Sequence, residues 1–559
     1  MKHPSFYTVV PLLMLILFAS CHFKNKDADI IYHNAKIYTV DGDFSVKEAM
    51  AIKDGKIIAI GAEREILNEY KAPKVIDCQK RFIYPGFIDA HCHFMGYGLA
   101  LQQVDLVGTK SWDDVLTRLK QYAEKHPDKD WIIGRGWDQN DLIQEGMEQE
   151  IIPMPDNTQL NTLFPDKPVV LIRIDGHALL ANQKALDLAG INASTHVNGG
   201  IVEVKNGKLT GILIDNAMQK VFDVMPKATV EEKKRALLMA QQNCFEEGLT
   251  TVDEAGLMYD DIELIKELHE AGSLKMRIYA MLSDDEANYA RYMKQGIDTT
   301  DFLTVRAFKL YADGALGSRG ACLSSPYTDV IHHAEYGMML KDPAYFRMRA
   351  QQLHDKGFQM CTHAIGDSAN RVMLHIYAEQ LQGVNDARWR IEHAQVVHKE
   401  DIPMFGMYSI IPSVQPLHAT SDMPWAYLRL GKNRLARAYA YRELKQQLGM
   451  VALGTDFPVE DIAPLKTFYA AVVRKDATGN PAEGFQMENA LTREDALRGL
   501  TIWPAIANFE EEKKGSLEVG KWADFVMLDQ DLMKVAEDKL LKVKVLMTAV
   551  AGENVYTRQ

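Results

Sequence analysis

The chain has 559 residues, more than one ordinary domain of roughly 100–200 residues, so a large domain with at least one accessory unit is expected. Hydrophobic residues make up 47% and charged residues 25%, the balance of a folded protein and not of a disordered one. With 63 basic and 76 acidic residues the net charge is −13, which argues against a nucleic-acid partner, and six cysteines in this length do not make a disulfide scaffold.

At the N-terminus, Lys2 and His3 precede an apolar run from Phe6 to Phe18, followed by Ala19, Ser20 and Cys21. A short basic region, an apolar core and small residues at the cut describe an export signal, not a membrane span of ~20 residues. Cys21 after small residues resembles a bacterial lipobox, in which that cysteine is lipidated and becomes the new N-terminus; soluble secretion after ordinary cleavage is the alternative. The expectation is a signal peptide over 1–20, a lipidated linker over 21–28, and a membrane attachment through that anchor, with the outer membrane facing the periplasm as the favoured address. The other cysteines have no Cys-x-x-Cys spacing and are expected as buried small hydrophobes.

From Asp29 to Ile83 short alternating runs predict strands, and Asp54-Gly55 between two of them is a hairpin signal. The C-terminus reads alike, with strands at Asp524–Leu528 and Val543–Val550 around a turn at Ala551–Asn554. Residues 29–83 and 505–559 are therefore expected to form one composite β-sandwich from both chain ends. Between them lie eight candidate strands: Phe87–His93, Thr250–Asp253, Met276–Met281, Phe308–Asp313, Gln359–His363, Trp389–His393, Ser409–Val414 and Val451–Asp456. Their alternation with helical stretches predicts a (β/α)8 TIM barrel of the α/β class over 84–504. The gap after the first strand is too long for a loop. An inserted subdomain is expected there, about 105–220, with its own strand at Val169–Ile174.

His91 and His93, two apart in a strand, share one face, with Cys92 on the other. A His-x-His pair alone is a weak signal. It gains force because the fifth, sixth and eighth strands end in His363, His393 and Asp456, at the catalytic mouth of such a barrel. Imidazole and carboxylate are good zinc ligands, so a metal site is expected. From spacing alone, Lys309 reads as the partner of a nearby carboxylate such as Asp313.

Pro85–His93, Asp175–Ala178, Lys309–Arg319, Thr362–Asp367, Ile391–Gln395, Ser413–Pro416 with His418, and Gly454–Asp456 together resemble the amidohydrolase superfamily of metal-dependent hydrolases, in the branch that includes N-substituted formamide deformylases. The likeness covers nearly the whole chain after the signal. A departure is the second strand, where some relatives carry a histidine and this chain has Asp253 and Glu254, whose roles stay open.

The resemblance implies two divalent metals, Zn by expectation. His91 and His93 would hold the first with Asp456, and His363 and His393 the second. Lys309 would carry a CO2-derived carbamate bridging both, because an ammonium has no lone pair to offer. It further implies hydrolysis of carbon–nitrogen bonds in amides or N-acyl and N-formyl amines, with Asp456 passing the proton of an activated water to the leaving amine. His177, Arg319 and His418 are candidate substrate contacts; for Arg319 a salt bridge that fixes its loop is the equal alternative. Trp131, Trp137 and Trp425 are candidates for a pocket wall, with a place in the core as the more common fate of such residues. A single-metal deaminase, an ester or lactone hydrolase, and a surface binding lipoprotein on an inactive barrel are the rival functions. A small-molecule substrate is expected in each enzyme case, and a homodimer is left open.

Overall fold

Eight parallel strands run around a barrel: β1 (Phe87–Cys92), β2 (Leu249–Leu257), β3 (Arg277–Ser283), β4 (Leu303–Tyr311), β5 (Gln359–Ala364), β6 (Arg390–His393), β7 (Ile411–Val414) and β8 (Ala452–Leu453). The computed structural model describes residues 26–142, 154–330 and 332–559; Cys21 and the rest of the N-terminal signal lie outside these residues. Strands β1 to β8 are joined in chain order by parallel ladders. The seam between β8 and β1 is closed past the ladder's end, where Asp456 N–H donates to His91 O at 2.7 Å and His93 N–H to Phe457 O at 2.8 Å. Gly454 makes this approach possible: a Cβ there would lie 2.5 Å from the backbone nitrogen of His91.

The period of two sorts side chains between the barrel interior and the surrounding helices. Ala255, Tyr279, Met281, Ala307 and Cys361 form a small interior cluster. Phe308, Leu310, Met360 and Ile391 face outward into the large strand–helix core. Lys309 and His363 follow two residues after Ala307 and Cys361, so they project inward and upward. Cys92 faces the outer core, opposite to His91. Helix α1 (Phe94–Ala100) begins directly after His93, and α2 (Val230–Glu246) starts from a capping box of Thr229 and Glu232.

Between β1 and β2 the chain builds a separate six-stranded sheet from Val104–Asp105 to Lys208–Asp215. Both faces carry cores, one under the helix Trp112–Lys125 and the other around Leu179, Leu186 and Leu213. The Ile174–His177 turn joins two of its strands, Val169–Arg173 and Ala178–Ala181. The chain ends supply a four-stranded and a six-stranded sheet, and Tyr32, Ile37, Ile52, Ile83, Phe525 and Met547 from both share one core. In the hairpin at Asp54-Gly55 both residues have positive φ, 50° and 74°, which a tight two-residue turn demands. Asp524 ties these sheets to the barrel through a buried pair with Arg277, at 2.6 and 3.0 Å.

Candidate functional site

The C-terminal ends of the strands open into a cavity of about 860 Å³, roofed by the inserted sheet. His93, Lys309, His363, His393 and Asp456 line its floor, His177 and His418 its walls, and His91 lies fully buried beneath them. The alternation of strand residues explains His91, His93, Lys309 and His363. It does not explain His393. In β6 Arg390 and Glu392 take the interior positions, and His393 is turned toward the mouth by a left-handed backbone at φ 73°. Asp456 is re-aimed in the same way, at φ 63°. Non-glycine residues seldom hold such angles, and strain of this kind clusters at functional sites.

One donor atom each from His91, His393 and Asp456 lies within 4.8 Å of the other two. His93 Nε2 stands 3.2 Å and His91 Nε2 3.6 Å from Asp456 Oδ1. The His363 and His393 rings are 4.5 Å apart between centroids. Burial, the leading effect, pushes His93 down to about 4 and holds His363 and His393 well below the imidazole range, so these rings are neutral with lone pairs free. Asp456 is held well below the carboxylate range: burial opposes this, and the hydrogen bond from His418, followed by the field of His91, outweighs it. Its Oδ1 is buried without a hydrogen-bond partner. An anionic oxygen and neutral imidazole nitrogens converging on one point fit a divalent cation.

Supporting residues fix the rings. His91 Nδ1 faces Glu392 Oε2 at 2.6 Å, and His393 Nδ1 faces Gln415 Oε1 at 2.7 Å. His418 Nδ1 faces Glu460 at 2.9 Å, with its Nε2 3.4 Å from Asp456 Oδ2. His177 Nδ1 faces Asp215 at 2.7 Å, and its ring centroid is 4.9 Å from that of His363. Such acceptors orient metal-binding imidazoles. Glu392 and Gln415 stand inside the sequence motifs but without an assigned role there, and Asp215, from the inserted sheet, carries no motif at all.

Two readings need correction and one open role is placed. Lys309 does not pair with Asp313, whose oxygens take the backbone N–H groups of Cys322, Ile365 and Gly366; Lys309 Nζ instead stands 3.2 Å from His91 Nε2. Arg319 does not line the cavity. Its guanidinium binds Asp329 at 2.7 Å, which is the loop-fixing alternative. Asp253 and Glu254 are not at the donor cluster. Asp253 pairs with Arg390 at 2.9 Å in the barrel floor, and Glu254 accepts from Met95 N–H at 2.9 Å, capping the start of α1 just beyond His93. Of the three tryptophans only Trp425 lines the cavity; Trp137 is buried in one core of the inserted sheet and Trp131 packs against the other.

The amidohydrolase family model matches residues 74–556. The protein LONG AFTER FAR-RED 3 of Arabidopsis thaliana is 31% identical over 95% of this chain and 92% of its own. The N-substituted formamide deformylase of Arthrobacter pascens is 27% identical over 95% of this chain and 98% of its own. Among solved structures, an uncharacterized metal-dependent hydrolase from Pyrococcus horikoshii superposes with a TM-score of 0.72 at 26% identity, covering 91% of this chain and 99% of that one.

Proposed function

Because the chain belongs to the amidohydrolase family of metal-dependent hydrolases, we propose that it cleaves the carbon–nitrogen bond of small amides, with N-formyl and N-acyl amines as the first class to test. The observation that carries the reading is the orphaned Asp456 Oδ1 amid neutral imidazoles at the barrel mouth. His91, His93, His363, His393 and Asp456 would hold the metal, which when bound lowers the pKa of water and polarises a carbonyl. Asp456 is ionised and faces the cavity, so its carboxylate takes the proton of the attacking water and returns it to the leaving nitrogen. His418, whose pKa is held well above the imidazole range against its burial by Asp456 and Glu460, steadies the Asp456 Oδ2 edge. His177 reaches over the floor from the inserted sheet, where its ring excludes water and meets the substrate.

Lys309 supports a bridged pair of metals. It is 0% exposed and pairs with no carboxylate among the described residues. Addition of CO2 to its neutral amine, with loss of one proton, would give an anionic carbamate whose oxygens could serve as ligands where an ammonium offers none. The deformylase named among the relatives supports beginning with N-formyl amines. The Lys2–Cys21 segment supports export and lipid anchorage, tested by labelling with a fatty-acid analogue in wild type and Cys21→Ser.

The test of the site is metal content per chain of protein purified with bicarbonate and without chelators, beside Lys309→Ala and Asp456→Asn, together with turnover of N-formyl and N-acyl amines. About two metals, falling to one or none in Lys309→Ala, are expected. Asp456→Asn is expected to lower kcat by roughly 10²–10⁴-fold, the usual weight of a general acid–base. One metal in wild type and Lys309→Ala alike would remove the bridge, and no turnover by metal-loaded protein would remove the amide reading.

A further inference from the structure

The inserted sheet carries two guanidinium groups into the cavity wall, and they are in opposite states. Arg173 is saturated: it binds Gln139 Oε1 at 2.7 Å and Asp138 at 2.6 Å, and pairs with Asp175 as well. Arg135, on the adjacent strand Ile132–Trp137, lines the same cavity without an ion pair among the described residues. Its one bond there runs from Nη2 to Ile174 O at 3.3 Å, and its buried Nε has no partner. The inner carboxylates of the wall are already engaged. Asp138 and Asp175 serve Arg173, Asp422 accepts from Tyr439 at 2.8 Å and Gln395 at 3.1 Å, and Glu460 accepts from Ser421 and faces His418. Among the described residues, Arg135 is thus a cation of the cavity wall with no carboxylate partner.

Its place relative to the donor cluster follows from the Ile174–His177 turn. A Cβ on Gly176 would lie 3.4 Å from Arg135 Nη2, and the next residue is His177, whose ring stands 4.9 Å from that of His363. The guanidinium therefore stands beside the turn that carries His177 toward the donor cluster, on the wall of the same cavity. A planar fork of N–H donors matches a carboxylate.

We propose that Arg135 is a specificity-determining residue that selects an amide bearing a free carboxylate close to the scissile bond. The amide part of this statement rests on the proposed function; the carboxylate part rests on Arg135 alone. Arg135 anchors the carboxylate while the carbonyl faces the floor.

The test is calorimetric binding of N-acetylphenylalanine and its carboxamide to wild type, Arg135→Gln and Arg135→Lys, with thermal midpoints recorded for each. Wild type is expected to bind the carboxylate roughly 10- to 100-fold tighter than the carboxamide, the weight of a charge-assisted hydrogen bond. Arg135→Gln should erase that preference and leave carboxamide binding unchanged. Arg135→Lys, which keeps the charge but loses the fork, should fall between and serves if the glutamine variant does not fold. Equal binding of both probes by wild type, a preference that survives in the variants, or binding of neither probe would overturn the proposal. A preference lost in Arg135→Gln, with no turnover of any amide, would uphold Arg135 and sink the amidase reading instead.

Discussion

Glu392 is a carboxylate with no exposure to water, yet it is held below the usual carboxylate range. Burial alone would raise it; His91, Arg390 and Lys309 reverse the sign. Its contact with His91 Nδ1 sets which nitrogen of that ring keeps a lone pair toward the site. Glu392→Gln should therefore leave the fold intact and weaken metal affinity by about 10- to 100-fold, measured by competition with a chelator. A residue that merely fills space would leave the affinity unchanged. The donors at 91, 93, 363 and 393 were legible because histidine at strand ends is sparse and periodic. Glu392, Gln415 and Asp215 were not assigned, since an acceptor for an imidazole can come from any polar residue at any separation.

The strands and their connections set where those side chains point. Closing the barrel depends on Gly454, where any larger residue meets the His91 backbone and Asp89. Gly454→Ala should destabilise the protein by about 1–3 kcal/mol, as an overpacked seam does. A drop in thermal midpoint with a matching loss of metal would bear this out, because the same seam carries Asp456. At the other end of the chain, Asp531 accepts from Lys36 at 2.6 Å and Tyr38 at 2.9 Å, tying the C-terminal segment to the strand Lys36–Tyr38. Burial would raise its carboxyl, but Lys36 and Tyr38 hold it below its ordinary value of 3.8. A depressed folded-state pKa gives stability that is full above the unfolded value and is lost as pH falls through the folded one. The gap in thermal midpoint between wild type and Asp531→Asn should thus be constant at neutral pH and shrink below about pH 4. A gap that grew on acidification would refute the assignment.

At the scale of the molecule, the sheets from the chain ends meet the barrel through Arg277 and Asp524, both buried. Removing one member leaves the other buried and unpaired, which typically costs about 3–5 kcal/mol. Arg277→Met should show that cost in urea unfolding, and the double variant Arg277→Met, Asp524→Leu should recover much of it. Equal losses in the single and double variants would mean that the pair does not couple the two parts. The inserted sheet has a different role. It roofs the cavity and delivers Arg135, Arg173 and His177 to it, with Asp215 behind His177, residues far from Lys309 and His363 in the chain.

The alternation of strand and helix, the order of the barrel strands, and the strand ends that carry His91, His93, Lys309, His363 and Asp456 are all readable from the residues alone. Those features are local: a period of two, a turn signal or a motif is written in neighbouring residues. Spacing alone puts Lys309 beside Asp313 and leaves Arg319 open between substrate and a loop-fixing salt bridge, because spacing along a chain does not say which of several nearby charges a flexible side chain meets. Tertiary structure decided these points. Backbone N–H groups from distant loops occupy Asp313, and Asp329 claims Arg319. It also decided which guanidinium is free, since Arg135 and Arg173 are alike in sequence and differ only in the carboxylates that folding brings to them. The left-handed turns at His393 and Asp456 belong to the same class. Only the closed barrel repays their strain, by bringing both side chains to one point.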